Sequence, residues 1–198
     1  MSQNTFFTSD LHFGHSNVIN YSNRPFSSVE EMDQILVSNW NDVVTNKDRV
    51  IIAGDLAMRY SSDYAYNIVK KLKGQKHLVF GNHDKAIRKN KEFLALFESV
   101  SDLLTVKVQD EEAVGGVRRI VVCHYPMLVW DRSHYGAWHL HGHCHGTLPD
   151  DGTSLRFDIG VDAWTTNGKK LYRPIEYNEV KEKMKLKTWT PKDRHGRD

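Results

Sequence analysis

Long apolar runs are missing from this sequence. No stretch of its 198 residues approaches the roughly 20 that a membrane-spanning helix requires, and the opening Met-Ser-Gln-Asn-Thr-Phe-Phe lacks the basic segment and apolar core of a secretory signal. No membrane association is therefore expected. Cysteine is also scarce: Cys123 and Cys144 are the only two, they form no CxxC pair, and each adjoins a histidine. That excludes a disulfide scaffold and fits a reduced, cytoplasmic protein. In extended geometry Cys144 would point away from His143 and His145, into the core. Low-complexity segments, internal repeats and interdomain linkers are absent as well. A balance of 39% hydrophobic to 26% charged residues is that of an ordinary globular chain able to build a sizeable core. The net charge of +2 is too small to imply nucleic-acid binding. Its asymmetry lies at the end, where residues 169–198 hold ten Lys and Arg against five Asp and Glu, which fits a solvated basic tail.

Histidine, by contrast, is concentrated. Six of the eleven fall between positions 124 and 145, four of them at every second position in His139-Leu-His-Gly-His-Cys-His145. On an extended backbone that spacing puts all four on one face. A solvated strand face accounts for one such histidine. Four in register point to a metal site, because imidazole is the commonest metal-binding side chain near neutral pH. The remaining ligands must then come from elsewhere in the chain.

Short β-branched or aromatic runs over residues 4–8, 49–53 and 77–80 predict strands. Each stops at a polar cluster: Asp10-Leu-His12, Gly54-Asp55 and Gly81-Asn82-His83-Asp84. Polar groups just beyond parallel strands lie where open α/β sheets bind ligands. A capping box at Ser27 and Glu30, followed by Val29, Met32, Leu36, Trp40 and Val43 at helical spacing, predicts a helix to about Val44. Ala65, Ile68, Val69 and Leu72 mark a second helix and residues 86–97 a third, while 21–26 form a loop. Strands over 99–109 and 117–123 predict a hairpin across the acidic turn 110–116, ending at His124. After a long loop over 127–138 come the histidine strand, strands over 155–161 and 171–177, a charged helix over 179–187 and a polar, mobile end from Thr188.

Collected in order, Asp-x-His (Asp10, His12), Gly-Asp (Gly54, Asp55), Gly-Asn-His-Asp (Gly81 to Asp84), His124 and Gly-His-x-His (Gly142 to His145) each close a strand. This set resembles the five motif blocks of the calcineurin-like metallophosphoesterase superfamily over residues 6–161. Asp-Leu-His-Phe-Gly-His is most similar to its short bacterial and phage members without a cap domain. The resemblance implies an α/β fold, a four-layer α/β/β/α sandwich, as a catalytic domain over 1–177 followed by the charged helix and tail of 178–198. It also implies two divalent metal ions. Asp10, His12 and His145 would hold one, Asn82, His124 and His143 the other, and Asp55 would bridge them. Imidazole and carboxylate donors suit manganese, iron, zinc or nickel, with manganese preferred. Two ions about 3.5–4 Å apart lower the pKa of a shared water and clamp phosphoryl oxygens. With two ligand carboxylates and a hydroxide, the centre keeps about one positive charge, which suits an anionic substrate. His83 is implied to stabilise the transition state or protonate the leaving oxygen, with Asp84 orienting it.

The implied activity is hydrolysis of a phosphodiester or nucleotide-like phosphate ester. The alternatives are a nuclease in nucleic-acid processing and a non-catalytic scaffold of the same fold. Gly-Asp-Leu-Ala-Met-Arg lacks the Asp-Arg-Gly of the serine/threonine phosphatases, and Asp84 stands where they carry Glu, so a phosphoprotein is not the expected substrate. Arg24, Arg132 and His15 are candidates for contacting substrate, as is Asn17. Tyr125, Trp130 and Trp138 are candidate platforms for a base. His139 and His141 match no ligand position and are expected in the core or behind the ligands. The expected partner is a small phosphate ester or nucleotide, with nucleic acid as the alternative, and the oligomeric state is not legible.

Overall fold

The computed structural model describes residues 3–58, 63–166 and 168–191. Its elements run β1 (Thr5–Thr8), α1 (Ser16–Tyr21), α2 (Val29–Val43), β2 (Arg49–Ile52), α3 (Asp63–Lys71), β3 (Gln75–Val79), α4 (Lys91–Leu94) and β4 (Ser99–Ser101). Then follow β5 (Leu104–Gln109), β6 (Val117–Val122), β7 (Trp138–His141), β8 (Arg156–Asp158), β9 (Thr165–Thr166), β10 (Lys169–Lys170), β11 (Ile175–Glu176) and α5 (Tyr177–Lys185).

Alternation along the strands decides the layers. Phe6 of β1 enters one hydrophobic core and Phe7 the other, and β2 divides likewise into Val50 and Ile52 against Ile51, which is joined by Ala53 just beyond the strand. The first core lies between the five-stranded sheet β11-β1-β2-β3-β4 and the apolar faces of α2 (Met32, Leu36, Trp40) and α3 (Ala65, Ile68, Val69). The second joins that sheet to the four-stranded sheet β5-β6-β7-β8 through Phe7, Ile51, Val79, Ile120, Val122 and Leu140, with Tyr177, Val180 and Met184 of α5. Strands buried on both faces read as unbroken apolar runs, as Val50 to Ala53 does. The α/β sandwich expected from the motifs is therefore present, with parallel sheets flanked by helices. β1 to β4 pair in parallel, as do β6 with β7 and β7 with β8. Among the described residues no helix is long and apolar enough to cross a membrane.

Several local expectations are corrected. The α2 cap sits one residue later than Ser27: Ser28 Oγ accepts the Glu31 N–H at 3.1 Å while the Glu31 carboxylate takes the Ser27 N–H at 2.6 Å. Ser-Ser-x-Glu-Glu offers two registers, and the second is used. Residues 86–97 do not form one helix, because the Asn90 side chain caps a new start at α4, accepting the Phe93 N–H at 3.1 Å. The run 99–109 splits into β4 and β5, which belong to different sheets. The hairpin of β5 with β6 is as expected. Helix α5 is tied to the second sheet by Asp110, which accepts the Tyr177 hydroxyl and Lys181 Nζ, each at 2.6 Å. Of the end expected to be mobile, Thr188 donates to Gly152 O at 2.9 Å and Trp189 packs on the second core, whereas 192–198 lie outside the described residues.

Candidate metal centre

Parallel pairing brings the turns after β1, β2 and β3 side by side. The pairing continues past the strands, with Asp10 N donating to Gly54 O at 3.1 Å and His12 N to Asp55 O at 3.0 Å. Five of the seven expected ligands sit in left-handed backbone: Asp10 (φ 57°), His12 (54°), Asp55 (52°), His143 (71°) and His145 (49°). Such residues are uncommon outside glycine and persist where their surroundings over-determine them. Here the expectation of four histidines on one extended face fails. β7 ends at His141, and the left-handed turns re-aim His143 and His145. His139 and His141 stay behind in the buried strand. His139 Nδ1 donates to Val121 O at 3.0 Å and Nε2 accepts the Met127 N–H at 3.1 Å, and burial pushes its pKa down to about 4. Cys144 is half-buried and lines the cleft beside His145, so it is not a core residue. Close approach of these turns depends on glycine. A Cβ on Gly54 would lie 2.6 Å from Gly81 N and 2.7 Å from His124 Nδ1, and its φ of +91° disfavours any side chain.

Two groups of donors result. Asp10, His12 and His145 each offer an atom within 4.8 Å of the others, and so do Asp10, Asp55 and His124. Asp55 Oδ2 lies 3.7 Å from His12 Nε2 and 3.4 Å from His124 Nε2, so it faces both groups. Asp10 also belongs to both, a wider position than the motif resemblance gave it. Asn82 Oδ1 is 2.9 Å from His124 Nε2 and 3.0 Å from His143 Nδ1, which brings the other expected trio together.

The protonation pattern tests whether a metal fits. His124 Nδ1 faces the Ala53 carbonyl at 2.8 Å and must donate, so in the neutral ring Nε2 is a lone pair. That lone pair would face two acceptors, Asn82 Oδ1 and Asp55 Oδ2, and with no cation between them the Asp55 carboxylate outweighs burial and raises the His124 pKa, so that a proton stands where a metal would. His12 Nε2 is buried without a hydrogen-bond partner. Converging nitrogen and oxygen lone pairs with too few donors among them suit a divalent cation. Burial raises the Asp10 carboxyl to about 7, against the favourable charges of His145 and His124. Burial lowers His12 to about 3 and so keeps it neutral. For Asp55 burial alone would raise the pKa, but the His124 contact and the His83 N–H outweigh it and hold the carboxyl at about 2.

The other candidates divide. His83 stands beside the donors, its Nε2 3.9 Å from Asp55 Oδ2 and its side chain 41% exposed. His15 lines the same cleft, its Nδ1 3.5 Å from that of His12. Asn17 lines it too, and the exposed Tyr125 ring lies 4.8 Å from the His143 ring. Asp84 is buried and engaged by backbone: its carboxylate accepts N–H groups of Asp55 (2.9 Å), Leu56 (3.0 Å) and Gly81 (2.8 Å), so it fixes the turns that carry the candidate ligands Asp55 and Asn82. Arg24 is not available to a phosphate, because its buried guanidinium pairs with Asp162 at 2.7 Å. Arg132 is exposed and does not line the cleft. Trp130 and Trp138 are no platforms: both are buried, the first donating to Ala137 O at 2.9 Å and the second covered by Tyr177 and Arg118. Sequence reasoning missed Asp162 and Asp33. Asp162 follows β8 as the other site residues follow their strands. Asp33 lies on the buried face of α2 and accepts the Gly14 N–H at 2.9 Å, which pins the turn after His12.

The profile of the family described as calcineurin-like phosphoesterase matches residues 4–168. The chain belongs to this family. The gene 66 protein of Mycobacterium phage L5 is 29% identical over 198 residues, covering 89% of this chain and 94% of the phage protein. An uncharacterised protein of Methanocaldococcus jannaschii is 46% identical over 81 residues, which are 40% of this chain and only 46% of the archaeal protein. The crystal structure of a protein of unknown function from Aquifex aeolicus aligns with a TM-score of 0.64 at 23% identity, covering 91% of this chain and 99% of that one, a likeness of fold. For a calcineurin-like phosphoesterase, a metal-dependent family, the converging donors are the candidate ligands of this chain.

Proposed function

We propose that this phosphoesterase binds two divalent ions, manganese foremost, and hydrolyses a phosphodiester or nucleotide-like phosphate ester. The observation that carries the reading is the pair of donor groups facing a shared Asp55 carboxylate, with His12 Nε2 buried without a hydrogen-bond partner and His124 Nε2 turned toward both Asp55 Oδ2 and Asn82 Oδ1. Ions held by Asp10, His12 and His145 and by Asn82, His124 and His143, with Asp55 between, would supply Lewis acidity toward phosphoryl oxygens and acidify a water. His83, beside the donors with its Nε2 3.9 Å from Asp55 Oδ2, would hydrogen-bond the phosphoryl group or protonate the leaving oxygen. The adjoining cleft, about 620 Å³, is walled by His15, Asn17, Val18, Tyr21, Met58 and Thr147. The metal centre, at the floor of this cleft, would meet the charge of a phosphoryl group. The test is a panel of phosphodiesters, phosphomonoesters, nucleotides, oligonucleotides and phosphopeptides offered to metal-stripped protein reloaded with manganese, iron, zinc or nickel. Diesters or nucleotides should give the highest kcat/KM. A phosphopeptide preference would overturn the substrate assignment, and full turnover after exhaustive chelation would overturn the metal reading.

A further inference from the structure

We propose that Arg24 and Asp162 form a positioning pair that builds the subsite of Asp10, His12 and His145, an inference that rests on the metal-binding reading above. Both side chains are wholly enclosed. Arg24 Nη2 donates to Asp162 Oδ2 at 2.7 Å and Nε to Oδ1 at 3.0 Å. The same guanidinium reaches the other way, with Nη2 donating to Asp10 O at 2.6 Å and Nη1 to Leu11 O at 3.0 Å. One planar group thus holds the carbonyls of a left-handed ligand and its neighbour while fixing the carboxylate behind another ligand. That carboxylate acts on His145, whose Nδ1 lies 2.7 Å from Asp162 Oδ2. Both Asp162 oxygens already face the Arg24 guanidinium, at 3.0 Å and 2.7 Å, so the carboxylate is the accepting partner of a buried pair. His145 therefore carries its proton on Nδ1, and the Nε2 lone pair is left facing Asp10 Oδ1 at 3.9 Å.

A buried ion pair is weak evidence for stability, since apolar residues of similar volume often serve as well. Positioning accounts for this one better, because Arg24 donates to Asp10 itself, to Leu11 between two ligands, and to the residue that orients His145. Ser22 adds to the pattern, its Oγ 3.0 Å from His145 Nδ1. In Asp162→Asn, either the new amide or the Ser22 hydroxyl can donate to Nδ1, and the ring proton is then free to move to Nε2. Guanidinium geometry matters as much as charge, since a lysine cannot reach the carboxylate and two carbonyls together.

The experiment has two readouts. Nitrogen-15 NMR of the imidazoles in metal-free protein should show His145 protonated at Nδ1 in the wild type and at Nε2 in Asp162→Asn. Calorimetric titration with manganese should show one of two ions weakened by roughly 10- to 100-fold in that variant, as for other groups that orient a ligand, with the other ion little changed. The double variant Arg24→Met/Asp162→Asn leaves no unpaired buried charge and gives the same comparison if the single variant unfolds. An unchanged tautomer, or equal weakening of both ions, overturns the proposal. A wild type that takes up no divalent ion sinks the metal-binding reading instead, and the tautomer comparison in metal-free protein still decides the pair.

Discussion

Replacing Asp84 separates two roles that the motif alone does not. If its carboxylate served only to orient His83, Asp84→Ala would slow turnover and leave stability alone. In the structure the carboxylate accepts three backbone N–H groups, from Asp55, Leu56 and Gly81, at 2.8–3.0 Å. Truncation leaves those buried donors unpaired, at about 1–3 kcal/mol each. Desolvation offsets part of this, because burial raises the Asp84 pKa even against its hydrogen bonds. A net loss near the lower end, about 3 kcal/mol, is therefore expected. At about 2–4 °C per kcal/mol for a domain of this size, Tm falls by about 6–12 °C. Asp84→Asn, which keeps one carbonyl oxygen as acceptor, should fall between. The assay is thermal unfolding of the metal-free protein by circular dichroism, beside kcat of the reloaded one. A Tm within about 2 °C of wild type, with kcat reduced, would refute the structural role.

Three other outcomes follow from named groups. His83→Ala should lower kcat by roughly 10²-fold or more while metal content, counted by atomic spectroscopy, stays normal; loss of bound metal would make His83 a ligand. Manganese at about 100 times its Kd should stabilise the metal-free protein by about 2.7 kcal/mol, a rise of about 5–10 °C in Tm, and an unmoved melting curve would count against the ligand set. Asp110, whose burial is outweighed by Lys181 and Tyr177, has its carboxyl held at about 2, well below the ordinary aspartate value. Its folded pKa is depressed, so its stabilisation is complete above about 4 and disappears as pH falls toward about 2. In urea unfolding, Asp110→Asn should show a constant deficit from neutral pH down to about 5 that shrinks below 4. A deficit that grows with acid would mean that another partner holds α5.

Much of this was legible because the site is written at strand ends. Residues 4–8, 49–53 and 77–80 are short apolar runs closed by polar residues, and parallel pairing makes such closures converge. Spacing marked His145 as one of four histidines at a metal site, and the motif narrowed these to His143 and His145 as candidate ligands. The same spacing suggested a flat strand, but a left-handed backbone is invisible to periodicity and turns the side chain where alternation would not. Arg24 misled for a related reason. An arginine near a phosphate site reads as a phosphate contact, and only a partner 138 residues away shows it to be buried. Trp130 and Trp138 likewise carry no sequence mark distinguishing an exposed platform from a packed wall. Asp33 was readable, since a carboxylate among Val29, Met32, Leu36 and Trp40 of a buried helical face needs a partner.

The backbone at the centre links stability to metal binding. Five non-glycine residues in left-handed conformation cost about 1–3 kcal/mol each, so the strain sums to about 5–15 kcal/mol, as large as the whole net stability of an ordinary domain. Aspartate and histidine tolerate that region better than most residues, which places the sum toward the lower end. Something local must offset it. Asp84 binds the N–H groups on both sides of the Asp55–Leu56 peptide, His143 N donates to the Asp10 carboxylate at 3.0 Å, and Asp33 fastens Gly14 just beyond His12. These bonds act on backbone and leave ligand lone pairs unspent. What they maintain in the metal-free chain is a set of acceptors held close together, an arrangement that is unfavourable by itself and that divalent cations would relieve. Relieving the strain of a left-handed turn while keeping these backbone hydrogen bonds should therefore raise the Tm of the metal-free protein and weaken its hold on manganese, both readable from melting curves with and without the ion.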